Sequence, residues 1–254
     1  MRTHSAAVQD QFDPQAQAYL HSAVHAAGPD LQEAHKRAAQ ALGPGACALD
    51  MGCGAGHLSF ALAPVVARMV ALDPSPGMLA AVHESATTRG LANIDTCLAG
   101  AETLPFETHT FDLVSTRYSA HHWLDLRAAL CEMRRVLKPG GRLLVIDVEG
   151  HEDALVDTHL QAMELLRDRS HVRNRSANQW RALLAEAGFS AIEHQHWPLR
   201  LEFTTWVQRM RTPAARVAMI RALQVDAPLE VQQALAFEPD GSFSVRTGLF
   251  WARG

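Results

Sequence analysis

The residues whose types and spacing most suggest chemistry begin with Asp50-Met51-Gly52-Cys53-Gly54-Ala55-Gly56-His57, a carboxylate followed by glycine at every second position. Glycine lets the backbone turn sharply there and leaves no Cβ between the chain and a ligand. A second carboxylate, Asp73, closes the apolar run Met69-Val70-Ala71-Leu72. It follows the glycines by roughly 20 positions, the separation at which an acidic residue holds ribose hydroxyls in doubly wound α/β proteins. A third stretch, Ser115-Thr116-Arg117-Tyr118-Ser119-Ala120-His121-His122-Trp123, sets an arginine and a tyrosine beside paired histidines. Imidazole titrates near neutral pH, so His121 or His122 is a candidate general base, and Arg117 can grip a carboxylate. Plainer roles stand beside these: a tight turn, a helix cap at Asp73, and a His-His-Trp wall.

Departures from the dinucleotide fingerprint bear on the ligand. In G-x-G-x-x-G the third glycine would fall at position 57, which is His57. Asp50 would lie close to a pyrophosphate, where like charges are unfavourable. A carboxylate suits a ligand with cationic groups, and S-adenosylmethionine carries an ammonium and a sulfonium. A dinucleotide-dependent oxidoreductase is the rival from another enzyme class, and a cofactor-binding protein without methyl transfer is a second.

These side chains must be positioned by strand tips. Apolar runs and turn residues predict strands near 46–50, 69–73, 93–98, 111–116 and 142–148, with helices near 56–67, 76–89 and 125–137. Lys138-Pro139-Gly140-Gly141 should stop the last helix and turn into the next strand. Helices follow near 152–168 and 177–187, the second opened by a capping box at Ser176-Ala177-Asn178-Gln179 and closed at Gly188. A strand near 190–202, a helical insertion over about 204–237 and a strand over 243–252 complete the alternation, with Asp240-Gly241 turning into the last. Upstream, residues 5–28 read as helical with a start at Asp13-Pro14. A further helix runs from a cap at Asp30 through Leu31, Ala34, Ala38 and Leu42 to Gly43.

Leu49-Asp50-Met51-Gly52-Cys53-Gly54-Ala55-Gly56, Leu72-Asp73-Pro74-Ser75, Leu104-Pro105-Phe106 with Phe111-Asp112-Leu113-Val114, and Arg135-Val136-Leu137-Lys138-Pro139-Gly140-Gly141 form an ordered set. It resembles the motifs of class I S-adenosylmethionine-dependent methyltransferases, nearest the ubiquinone/menaquinone-biosynthesis-like C-methyltransferase group. The resemblance implies an α/β fold with a doubly wound, mostly parallel seven-stranded sheet, the last strand antiparallel and inserted between the fifth and sixth. It implies one domain over 1–254: an N-terminal helical lid (1–43), a cofactor-binding half (44–150) and a substrate-side half (151–254) with the insertion. The implied activity is transfer of a methyl group from S-adenosylmethionine to a small organic acceptor by in-line displacement.

The expected cofactor-binding residues are Tyr19, reaching from the lid, with Asp50, Gly52, Gly54, Gly56, Asp73, Met78, Ala101, Glu102 and Arg117. Many relatives carry an acid where this chain has Gly100, so adenine is left to the backbone of Gly100-Ala101 and apolar walls such as Met78 and Leu79. Tyr118, Arg173, Trp206 and Arg211 are candidate substrate contacts, drawn from the cationic stretch around Arg167–Arg175 and the Trp206–Arg211 segment.

Composition bounds the partners. A chain of 254 residues with 48% hydrophobic and 20% charged residues is expected to fold as one globular domain. The formal charge of −4 and the lack of a Lys/Arg-dense tract give no reason to expect nucleic acid. No run reaches membrane-spanning length and the N-terminus lacks an apolar signal core, so no membrane partner and a cytoplasmic location are expected. Cys47, Cys53, Cys97 and Cys131 lack metal-type spacing and read as reduced thiols. His121-His122 and His194-x-His196 lack an evident supporting carboxylate or cysteine cluster, so no metal is expected.

Overall fold

Met69-Val70-Ala71-Leu72 and Leu143-Leu144-Val145-Ile146 are unbroken apolar runs, the pattern of strands buried on both faces. Both lie within the sheet and are at most 2% exposed. The computed structural model describes Thr3, His4, Val8, Gln11, Phe12 and residues 28–254; Tyr19 and the expected helix start at Asp13-Pro14 lie outside the described residues.

The strands are β1 Cys47–Met51, β2 Arg68–Asp73, β3 Ile94–Leu98, β4 Phe111–Arg117, β5 Leu137–Glu149, β6 Ser190–Leu201 and β7 Phe243–Arg253. They form one sheet in the order β3-β2-β1-β4-β5-β7-β6. β7 runs antiparallel to both β5 and β6, and the other pairings are parallel. The order reverses between β1 and β4, so the crevice at the carboxyl ends of these strands is the expected ligand position.

Helices cover both faces. α1 Pro29–Ala41 and α2 His57–Leu62 bury Leu31, Ala34, Ala38, Leu58 and Leu62 against one face. α3 Pro76–Thr88 packs beside β2 and β3. α4 Leu126–Val136 and α6 Ala177–Glu186 bury Leu130, Met133, Trp180 and Leu184 against the other. A separate core joins α5 Ala154–Arg167 to the insertion, made of α7 Phe203–Arg209, α8 Ala214–Val225 and α9 Leu229–Ala234. Trp206, Ile220, Val231 and Phe243 are buried there.

The structure departs from the sequence reading at three places. The helix expected over 56–67 stops at Leu62 and tightens into a 3-10 turn over Ala63–Val65, since Pro64 has no N–H to continue the α ladder. Lys138-Pro139-Gly140-Gly141 does not separate helix from strand but opens β5 as a bulge. The register there jumps from Phe111–Leu137 to Leu113–Arg142, with Gly140 at φ +75°. Asp30 does not cap its helix: Gly28 is the N-cap, Pro29 takes the first turn, and the Asp30 side chain turns inward to an ion pair. The Ser176–Gln179 capping box is present in both directions. Cys47, Cys53 and Cys97 are half-buried thiols, whereas Cys131 is exposed. Among the described residues no helix is long and apolar enough to cross a membrane.

Candidate active site

β1 ends in Asp50 and Met51, and the chain must then reverse to start α2. Gly52 (φ +64°), Gly54 (φ +50°) and Gly56 (φ +87°) all take the left-handed conformation that favours glycine. Their surroundings differ. A Cβ on Gly52 would sit 1.9 Å from Ser119 Oγ, and one on Gly56 would meet Phe60 and Val82 at 2.9 Å. A Cβ on Gly54 would meet nothing within 4 Å. Two glycines thus allow close packing, while the middle one faces open space.

Asp73 fastens this loop from the neighbouring strand tip. Its Oδ2 accepts from Gly54 N–H and its Oδ1 from Ser75 N–H, each at 2.9 Å. Ser75 Oγ in turn caps α3 by accepting from Met78 N–H at 3.1 Å. The loop and α3 begin a cavity of about 280 Å³. Asp50, Gly52, Gly54, Asp73, Met78, Ala101, Glu102, Arg117 and Tyr118 all border it. Gly56 and Leu79 do not border it. Gly56 acts as the N-cap of α2 instead.

Asp50 is the unusual group of this cavity. It is 1% exposed, its Oδ2 accepts from Ser59 Oγ at 2.7 Å, and its buried Oδ1 has no partner among the described residues. Burial pushes its carboxyl up to about 7, against the Ser59 hydroxyl and the Arg117 guanidinium, with the Asp73 charge adding to the rise. Arg117, at the tip of β4, is buried and pairs through Nε with Asp30 Oδ2 at 2.5 Å. Its guanidinium lies 4.5 Å from the Tyr118 ring centre. The charge that could hold a free carboxylate is therefore already faced by Asp30.

Tyr118 has φ +51°, a strained conformation for an aromatic residue. Its N–H donates to Ile146 O at 2.8 Å and its hydroxyl lies 2.8 Å from Thr247 Oγ1. Burial, with Asp30 adding and Arg117 opposing, pushes the phenol up to about 12. The turn aims the ring between the first cavity and a second of about 80 Å³; Phe12, Tyr118 and His122 border both.

His121, His122, Val148, Glu164, Arg167, Asp168, Asn174, Leu199, Leu201, Trp206 and Arg209 complete most of the second wall. His121 Nδ1 lies 2.6 Å from Asp147 Oδ1, and His121 N–H donates to Asp147 Oδ2 at 3.1 Å. Burial alone would lower the imidazole; the Asp147 carboxylate outweighs it and leaves His121 above its ordinary value. His122 is different. Burial and the neighbouring His121 push it down to about 4, against Asp168. His122 Nδ1 is 3.1 Å from Ser170 O, and its ring centre is 4.1 Å from that of His121. His171, driven to about 2 by burial and the adjacent cations, sits against Gln161. The structure thus distinguishes the two candidate bases: only His121 has a carboxylate at hydrogen-bond distance to orient it.

The cationic stretch looks different in three dimensions. Arg167 pairs with Glu164 and Arg173 with Asp157, both at 3.0 Å. Arg173 borders neither cavity; its backbone N–H donates to His121 O at 3.1 Å. Arg211 is exposed and also lies off both walls. Trp206 borders the second cavity from within the insertion core. The neutral Asn174 lines the second cavity, 2% exposed, with Nδ2 lacking a partner among the described residues. Sequence reasoning passed over Asp147 and treated Asn174 only as part of a charged run. Asp147 follows an apolar strand as Asp50 and Asp73 do, a signal that was present; Asn174 carries none.

One expectation about histidines is corrected. His194-x-His196 does have a carboxylate beside it: Glu149 Oε1 lies 2.5 Å from His194 Nε2. The partner is 45 residues away in the chain, on a different strand, so no local pattern could reveal it.

Comparison with known proteins agrees with this geometry. The family described as Methyltransferase domain matches residues 49–145. YafE of Escherichia coli is 46% identical over 189 residues, covering 74% of this chain and 91% of that protein. YcgJ of Bacillus subtilis, described as an uncharacterized methyltransferase, is 34% identical over 213 residues, covering 82% of each. The crystal structure of YcgJ superposes with a TM-score of 0.83 at 31% identity, over 88% of this chain and 97% of the other. A demethylmenaquinone methyltransferase of Mycobacterium marinum is 37% identical over 154 residues, covering 59% of this chain and 63% of that protein. With the sheet order, the glycine bend and the two acidic strand tips, these relatives show that the chain belongs to the class I S-adenosylmethionine-dependent methyltransferases.

Proposed function

We propose that the larger cavity holds S-adenosylmethionine and the smaller one a small organic methyl acceptor, with His121 as general base. The observation that carries this reading is the junction of the two cavities at Tyr118 and His122, beside the β4 tip. The residues present fit the cofactor. The unpartnered Asp50 Oδ1 suits its ammonium, the open space at Gly54 admits ligand against bare backbone, and Met78 and Ala101 offer apolar walls. Asp73 borders the larger cavity from the tip of β2 and presents a carboxylate, the group that suits ribose hydroxyls.

When bound, the cofactor supplies an electrophilic methyl on a sulfonium that departs as a neutral thioether. No oxyanion hole is then required, and most of the acceleration comes from alignment in a water-poor pocket. The chain's part is to orient the acceptor and take its proton. With Nδ1 directed to Asp147, His121 keeps Nε2 as the accepting atom, and Asn174 Nδ2 is a donor for an acceptor oxygen. The small volume of the second cavity and the formal charge of −4 favour a metabolite-sized acceptor.

The test uses the full chain, labelled S-adenosylmethionine and a panel of metabolite-sized acceptors. His121→Asn should lower kcat by about 10²-fold or more, with S-adenosylhomocysteine affinity unchanged by calorimetry. An unchanged kcat removes the base; failure of the intact protein to bind S-adenosylhomocysteine removes the cofactor assignment.

A further inference from the structure

Glu149, His194 and His196 border neither cavity. Glu149 ends β5, His194 and His196 are two apart on β6, and β7 runs between the two strands. A carboxylate on β5 reaches a histidine on β6 only by crossing β7, and the crossing point is Gly248. Gly248 pairs with Asp147 on one side and His196 on the other. A Cβ there would lie 2.2 Å from Glu149 Oε1 and 2.8 Å from Cγ and Cδ. Glycine weakens a strand interior and in such a place marks close approach by another group. Here that group is the Glu149 side chain, whose carboxylate is buried beside His194.

We propose that these three side chains form a binding site for a divalent transition-metal ion of the zinc class, separate from the methyl-transfer site. One candidate ligand atom from each lies within 4.8 Å of the other two. Alternate residues of a strand share a face, which places both imidazoles on the same side of β6. The His194 ring is fixed by stacking on Phe250, 4.7 Å away at 17°, and lies 5.6 Å from the His196 ring at 30°. A hydrogen bond between His194 and Glu149 would not need a second imidazole. The His196 imidazole converges on the pair, has no hydrogen-bond partner among the described residues, and is exposed enough for solvent to complete the coordination sphere. Two imidazoles and a carboxylate with an open position suit zinc and its neighbours. The ion would replace the proton between His194 Nε2 and Glu149 Oε1, tying β5 to the edge strand β6.

Arg181 supplies a specific check. Its Nη2 lies 3.1 Å from His194 Nδ1, and its Nη1 donates to Asn178 Oδ1 at 3.3 Å. Neutral histidine bound through Nε2 carries its proton on Nδ1, so Arg181 must release this contact when metal binds. Arg181 therefore opposes binding, and removing it should tighten the site.

The experiment titrates chelator-treated, tag-free full chain with Zn²⁺ by calorimetry and with Co²⁺ by absorption. One ion per chain is expected, with a cobalt spectrum free of thiolate charge transfer and a raised thermal midpoint. His196→Ala and Glu149→Gln should each weaken binding at least tenfold, and Arg181→Ala should tighten it severalfold. Saturable binding that His196→Ala and Glu149→Gln leave unchanged, a thiolate spectrum, or no binding at millimolar Zn²⁺ would overturn the site. A folded His196→Ala variant, verified by circular dichroism, keeps the test decisive if Glu149→Gln is unstable.

Discussion

Asp50 occupies a position where an ionised carboxylate is costly. Its carboxyl titrates at about 7 in the folded chain, against about 4 for an unperturbed aspartate. Between those values the folded state holds a proton that the unfolded state has lost, so stability falls as pH rises through the window. At about 1.4 kcal/mol per unit, the loss is on the order of 4 kcal/mol by pH 8. Asp50→Asn removes it: the variant should melt higher than wild type at pH 8, with the gap closing toward pH 4. The same substitution should weaken S-adenosylhomocysteine binding at least tenfold, since the ligand's ammonium needs the charge. Wild-type affinity should improve from pH 6 to pH 8 as Asp50 ionises, while the variant's stays flat. Equal affinity in the two proteins across that range would show that Asp50 does not hold the ammonium.

The bend between β1 and α2 divides its glycines between packing and access, and paired substitutions separate these roles. Gly54→Ala puts a methyl into open space at φ +50°, so the cost to the fold is about 1–2 kcal/mol of backbone strain. Cofactor affinity should fall much further, by tenfold or more, because the methyl occupies the cradle. Gly52→Ala meets Ser119 Oγ at 1.9 Å, and moving that hydroxyl breaks its 3.1 Å bond from Trp123 Nε1. The expected loss is about 2–3 kcal/mol, visible as a lowered thermal midpoint before ligand is added. Gly54→Ala binding as tightly as wild type would remove the bend from the cofactor site. This part of the molecule was readable in the sequence because each signal is local: a run of apolar residues, a carboxylate at its tip, glycines in fixed alternation. Even there, interactions with distant residues redirected side chains. Asp30 reads as a helix cap, yet Arg117, 87 residues on, draws it inward. Lys138-Pro139-Gly140-Gly141 reads as a helix stop, yet Phe111 pairs with Leu137 beside it and Gly254 bonds to Gly140 and Gly141 within it.

The two cavities rest on different packing units, and this decides which variants should separate cofactor binding from acceptor binding. The larger lies over the tips of β1, β2 and β4, supported by the sheet cores; the smaller reaches into the core that α5 shares with the insertion. The acceptor side was the less legible half for a physical reason. Its groups come from separate segments and meet only through long-range contacts, as when the 172–173 backbone bonds to His121 O. The charges that drew attention in sequence, Arg167 and Arg173, are spent on Glu164 and Asp157. Trp206 tests the division. Its ring is 1% exposed, packs edge-on against Phe243 at 4.9 Å, lies under the Arg167 guanidinium and walls the smaller cavity without touching the larger. Trp206→Phe keeps an aromatic there but leaves a void, at a cost of about 1–3 kcal/mol. Trp206 does not line the larger cavity, so its loss should act on the acceptor side. The variant should therefore bind S-adenosylhomocysteine as wild type does, while KM for the acceptor rises about tenfold and kcat changes less. An S-adenosylhomocysteine affinity that falls along with acceptor binding would mean that the two cavities form one energetic unit, with the insertion part of the cofactor site.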